Sequence, residues 1–288
     1  MSNELVPSAS LSPQASNDEH LIALWLDGRS RHTRRVYEAD SRAFLAHAGR
    51  PLRAVTVGEV QSYRVTLEHL APASQARKLS AVKSLLSFAR RLGYVPFDVG
   101  SVVKLPPIKN KLAERIIPES AVHRLIALEP RPRNRVLLLL LYAAGLRVSE
   151  VCGLRWRDCQ PRDEAGQLTV FGKGGKTRVI LLPASVWGEL QALRGEDLSP
   201  DAPVFLSNKG GALDPSQAHR IVAAAAKRAK IKGNVSAHWL RHAHASHALD
   251  RGAPPHLVQS TLGHASLSTT SRYLHARPGD SSARYLAV

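Results

Sequence analysis

Apolar residues recur at three- and four-residue spacing through most of this chain, and that period points to helices packed on helices. Leu21, Leu24 and Trp25 share one helical face, Val36, Ala39 and Ala43 another, and Leu79, Val82, Leu85 and Leu86 a third. Gly28, Gly49-Arg50-Pro51, Pro72 and Gly93 punctuate them. Residues 18–101 are therefore expected to form a small bundle of about four helices, with Arg31, Arg34, Arg35 and Arg64 on its polar faces. Residues 102–112 carry two prolines and three lysines without helical periodicity, and are expected to be an extended linker. Residues 113–288 read as a second, larger domain, helical again from near Pro118. Two β-like runs, 167–171 and 177–182, interrupt it around Gly172-Lys173-Gly174-Gly175-Lys176, the pattern of a hairpin. The expected fold class is mainly α, with a helical N-terminal domain and a mixed domain holding one small β-hairpin or sheet.

The charge balance narrows the partner. Lys and Arg number 40 against 23 Asp and Glu, a formal net charge of +17, with a sequence pI near 10.5. A basic surface binds nucleic acid by releasing condensed counterions, so a polyanion is the expected partner. Cys152 and Cys159 are expected to be reduced, buried thiols of a cytoplasmic protein. The longest apolar run, 136–144, is far shorter than the roughly 20 residues of a membrane span, so no membrane association is expected. Residues 1–17, rich in Ser, Pro, Ala and Asn, read as a disordered arm rather than a targeting peptide.

Three segments carry groups that core packing does not explain. Arg147 follows directly on the apolar run, where a guanidinium either faces a cleft or partner or pairs with Glu150, one helical turn on. Lys173 stands in the glycine-rich hairpin tip, where it is either delivered into a neighbouring site or simply solvated. That tip is not a P-loop: Val170 occupies the position of the first glycine, and a strand rather than a helix follows. The third segment holds His238 and Arg241 on one helical face behind Ser236, then Leu262-Gly263-His264, then Tyr273. His242, His244 and His247 invite a zinc reading, but no Glu or Cys completes a ligand spacing. Neither a metal nor a nucleotide or other cofactor is expected.

Taken in order, these segments resemble the catalytic boxes of the tyrosine recombinase (phage integrase) family, most of all its short Xer-type members. Arg147 matches the first-box arginine, Lys173 the hairpin lysine, His238 and Arg241 the His-x-x-Arg pair, His264 the Leu-Gly-His histidine and Tyr273 the nucleophile. Residues 33–37 and 78–88 resemble the family's SAM-like core DNA-binding domain. Asp98-Val99 and Ser260-Thr261 depart from the family pattern, away from all six positions.

The resemblance implies cleavage and rejoining of double-stranded DNA through a 3′-phosphotyrosine intermediate. Arg147 and Arg241 would clamp the phosphate, His238 would take the phenol proton, Lys173 would protonate the leaving 5′ oxygen, and His264 would hold a non-bridging oxygen or orient its neighbours. It also implies a tetramer of identical or paired recombinases on two synapsed sites, with the tail around Tyr285 and Leu286 as a candidate contact to a neighbouring protomer. Chromosome-dimer resolution, integration of a mobile element and inversion all remain open as the task. The rival readings are a type IB topoisomerase and a DNA-binding protein that has lost catalysis.

Overall fold

The computed structural model describes residues 14–109, 112–172, 175–195 and 199–274. The chain divides into two compact units between residues 109 and 110.

The first unit is built from α1 (Asp18–Leu26), α2 (Arg31–Ala48), α3 (Val57–Thr66) and α4 (Pro72–Arg91). Local chemistry sets their ends. Asn17 Oδ1 accepts from the His20 amide at 2.8 Å to start α1. Gly49, at φ 62°, ends α2 in the left-handed region. Thr56 and Glu59 form a capping box on α3, and Pro72 opens α4 where its missing amide costs nothing. Leu21, Trp25, Phe44, Val60, Leu79 and Leu85 fill the core between them. Ala15 and Val103, from the segments read as arm and linker, are also buried in that core. Asp40, 2% exposed, is held by ion pairs to Arg77 and Lys78.

The second unit runs α5 (Glu119–Ala127), α6 (Pro132–Ala143), α7 (Val148–Gly153), β1 (Cys159–Arg162), β2 (Ala165–Phe171), β3 (Thr177–Leu182), α8 (Ala184–Gln191), α9 (Pro215–Arg228), α10 (Ala237–Asp250), α11 (Pro255–Leu262) and α12 (Leu267–Leu274). The expected hairpin is the β2–β3 pair, and β1 extends it into an antiparallel sheet of order β1-β2-β3. Leu168, Val170, Ile180 and Leu182 point inward, as strand alternation requires, while Phe171, Val179 and Leu181 face out. α6 is apolar nearly all round, and Val136, Leu137, Leu138, Leu140 and Leu141 are buried. Together with α10, which packs across it, α6 forms the floor on which the functional side chains rest. The two cysteines are buried free thiols. Among the described residues no helix is long and apolar enough to cross a membrane.

Trp187 of α8 packs against Gly166 in β2, so close that a Cβ there would come within 2.2 Å of the indole. Gly166→Ala is therefore expected to force the ring out of place, at a cost of about 1–3 kcal/mol. Thermal unfolding should show this as a fall of several degrees in Tm.

Candidate active site

The site begins where α6 stops. Gly145 turns the chain with φ +57°, and a Cβ there would come within 2.6 Å of Leu262 and 2.9 Å of His244. Only glycine permits both the left-handed backbone and this close approach. The turn delivers Arg147 to the N-terminus of α7 and leaves the Gly145 carbonyl pointing at α10.

Arginines then gather on the far end of α11. That helix stops at Gly263, φ 62°, which leaves its last carbonyls without intrahelical partners, at the negative end of the helix dipole. Arg178 Nε donates to the Thr261 carbonyl at 2.7 Å, Arg241 Nη2 donates to that of Leu262, and Arg147 Nη2 donates to that of Gly263 at 3.2 Å. Arg241 also donates through Nη1 to Gly145. Its side chain is 1% exposed. Burial, and then the charge of Arg147, lower its pKa to about 10, so it stays cationic.

Glu150 ties the other two arginines together. Its carboxylate accepts from the Arg147 amide and Nη1, each at 2.8 Å, and from Arg178 Nη1 and Nη2 at 2.9 and 2.8 Å. Burial pushes this carboxyl upward, but the hydrogen bonds and charge of Arg178 and Arg147 outweigh it and hold its pKa at about 2. Pairing and exposure are thus not alternatives for Arg147: it binds Glu150 while 39% of its side chain remains open to solvent. It opens onto a cleft of about 550 Å³, lined also by Gly172, Lys176, Arg178, His264 and Thr269.

The imidazoles and the phenol complete the cluster. Ser236 stands at the start of α10 but makes no side-chain cap hydrogen bond. His238 is exposed at its edge. Its pKa is lowered by desolvation and then by Arg241, Arg147 and Arg115. His264 Nδ1 lies 2.9 Å from the Thr270 hydroxyl, and its ring is parallel to that of Tyr273, 4° between planes and 6.3 Å between centroids. Burial, then Arg241 and Arg147, bring His264 to about 4. Tyr273 is 6% exposed. Burial raises its pKa, and Arg241 and Arg272 oppose that rise.

Of the residues singled out from sequence, Arg147, Arg241, His264 and Tyr273 are linked through these contacts, and His238 joins them through the ring of His242, 4.3 Å away. Lys173 lies outside the described residues, as do Tyr285 and Leu286. The phenol hydroxyl meets Nδ1 of His242 at 2.7 Å rather than His238. His242, His244 and His247 make separate hydrogen bonds, to the Tyr273 hydroxyl, the Tyr142 carbonyl and the Tyr142 hydroxyl. Among the described residues no group of His, Cys, Asp and Glu is arranged to hold a metal ion. Sequence reasoning passed over Arg178. Its signal was there, a cation on the inward-facing register of β3 beside Ile180 and Leu182.

The phage integrase family model matches residues 115–279, and that of the phage integrase N-terminal SAM-like domain matches residues 18–93. Tyrosine recombinase XerC of Pelobacter propionicus is 33% identical over 264 residues, 85% of each chain. A crystal structure of a lambda integrase dimer bound to a COC′ core site superposes with a TM-score of 0.73 at 19% identity, covering 92% of this chain and 95% of that one. A lambda integrase tetramer bound to a Holliday junction superposes at 0.72 and 17% identity, covering 91% and 78%. At such identities these two likenesses concern the fold.

Removing Arg178 leaves the buried Glu150 carboxylate half-paired. Arg178→Met should destabilise the fold by about 3–5 kcal/mol in chemical denaturation. Because the folded pKa of Glu150 is depressed from 4.5 to about 2, its stabilisation is complete above pH 4.5 and is lost as pH falls towards 2. The shift corresponds to roughly 3 kcal/mol. Glu150→Gln should therefore flatten the acid limb of the stability profile in that window.

Proposed function

Since the chain belongs to the phage integrase family and is a tyrosine recombinase, we propose that Tyr273 is its nucleophile and that Arg147, Lys173, His238, Arg241 and His264 serve the same phosphate. The observation that carries this reading is the seating of Arg147 and Arg241 on adjacent carbonyls, Gly263 and Leu262, immediately before a histidine whose ring stacks on the tyrosine.

A phosphodiester is anionic, and its pentacoordinate transition state gathers further charge on the non-bridging oxygens. Guanidiniums held beforehand in fixed positions stabilise that charge without reorganising, and their hydrogen bonds to it are charge-assisted. They supply the positive charge that divalent cations give in two-metal nucleases. In the reaction the Tyr273 oxygen bonds to phosphorus as the bond to the 5′ oxygen breaks. The phenol proton passes to the His238 imidazole, and Lys173 protonates the departing 5′ oxygen. Gly172, the chain neighbour of Lys173, lines the cleft beside Arg147, which supports that role. The phosphotyrosine bond conserves the energy of the broken diester, so a 5′ hydroxyl from another strand reverses the step without ATP.

The partner is double-stranded DNA. The helical first unit serves as the core-binding half and the second as the catalytic half, closing on the duplex through phosphate contacts with a few base contacts for register. Exchange between two duplexes needs four such sites, supplied by a tetramer on two synapsed sites. The tetrameric arrangement of the lambda integrase relative and the kinship with XerC support this, and identical protomers or a paired recombinase would both satisfy it. A cytoplasmic location and a role in chromosome segregation belong to the same reading.

The test uses a nicked suicide substrate carrying the sequence that the protein protects from nuclease digestion. Wild-type protein should form a denaturation-resistant adduct, and Tyr273→Phe should form none while binding DNA normally. Arg147→Ala should slow adduct formation on the order of 100-fold or more. Lys173→Ala should be slow on normal DNA and recover on a 5′-bridging phosphorothiolate, whose sulfur leaves without a proton. Recombinant products from two intact sites would exclude a topoisomerase. An adduct that persists in Tyr273→Phe would sink the assignment.

A further inference from the structure

The hydroxyl of Tyr273 has one hydrogen-bond partner among the described residues, Nδ1 of His242 at 2.7 Å. We propose that His242 is a further catalytic residue, whose bare Nδ1 accepts the hydrogen of the Tyr273 phenol and so aims the phenol oxygen for attack. The inference rests on Tyr273 being the nucleophile.

His238 and His242 stand four residues apart on α10, one helical turn, and so share a face. The His238 ring meets the His242 ring edge-on at 4.3 Å and 75°. On its other flank His242 meets the Tyr273 ring at 5.6 Å and 49°. Tyr273 is thereby fixed twice: His264 lies parallel to the ring, and His242 holds the hydroxyl. Stacking leaves a phenol free to rotate its O–H, but a directional acceptor does not.

That orientation decides reactivity. A phenol attacks through an oxygen lone pair, and a hydrogen pointing at phosphorus stands in the way. Donation to Nδ1 turns the hydrogen aside and leaves the lone pairs for the phosphate. The acceptor must also be unprotonated, with its own hydrogen on Nε2. Burial, followed by repulsion from any proton on His238 and from the cations Arg115, Arg241 and Arg272, keeps the His242 imidazole neutral, its pKa pushed down to about 3. The same cationic surroundings that prepare the site for a phosphate therefore maintain His242 as an acceptor. His238 is left free to face the substrate.

The experiment compares His242→Leu, His242→Asn and His242→Gln in the full chain, reading single-turnover adduct formation on the suicide substrate beside DNA affinity and Tm. Asparagine can place Oδ1 where Nδ1 stood and accept the hydrogen, although it cannot carry a proton. The longer glutamine reaches past that point. His242→Leu should slow cleavage on the order of 10- to 100-fold, as expected for a misplaced reacting atom, with DNA affinity within about twofold. His242→Asn should recover most of the rate and outpace His242→Gln, a comparison that stands even if the leucine variant does not fold. Wild-type cleavage by His242→Leu overturns the proposal. So does an asparagine variant no faster than the glutamine variant at equal Tm, because the histidine would then act through its proton or through packing. Tyr273→Phe separates the two levels. If it still forms the adduct, the nucleophile assignment fails first; if it forms none while every His242 variant cleaves normally, the role of His242 alone falls.

Discussion

Three successive carbonyls at the end of α11, those of Thr261, Leu262 and Gly263, each accept a hydrogen bond from a different arginine, and the rest of the site depends on that arrangement. The carbonyls are available because α11 ends there in a left-handed glycine, and a helix terminus leaves its last acceptors unpaired. They are attractive to cations because the helix dipole points its negative end the same way. Each charge-assisted bond is worth about 1.5–3 kcal/mol, and together with Glu150 they offset the desolvation of guanidiniums that would otherwise be intolerable. α7, β3 and α10 supply one arginine each from the chain segments they organise, so one short helix end fixes three elements to a common point.

Such a concentration of fixed positive charge dictates the state of everything beside it. Desolvation and the neighbouring guanidiniums press the histidines towards neutrality, His264 to about 4 and His242 to about 3. Burial keeps the Tyr273 phenol protonated. The resting site therefore combines neutral imidazoles and a neutral phenol with cationic arginines, one of them open to a cleft. An anion is the ligand for which that combination is already organised.

Much of this was legible in the residues. The helical period located the helices of the first unit and the helical ends of the second, but not α8, and the β-like runs located β2 and β3. β1 escaped because four residues, one of them Pro161, carry too short a pattern to register. Arg147 was recognised as anomalous, but its two explanations could not be separated, since they coexist. Arg178 passed as an ordinary strand residue until its register showed it pointing inward. His242 was weighed as a metal ligand and set aside, although its neighbour in the fold, 31 residues away in the chain, is the phenol itself.

Sequence alone determined most of the helical stretches, where the cations fall and which side chains could carry chemistry, because those properties depend on backbone periodicity and residue chemistry within a few positions. Only the tertiary structure decided which donor meets which acceptor. Arg147 reaches Gly263 across 116 residues and Arg241 reaches Gly145 across 96. Hydrogen bonds tolerate only a few tenths of an ångström and a limited angle in their geometry, so their partners are chosen by the packing of whole helices, and no local pattern encodes that choice.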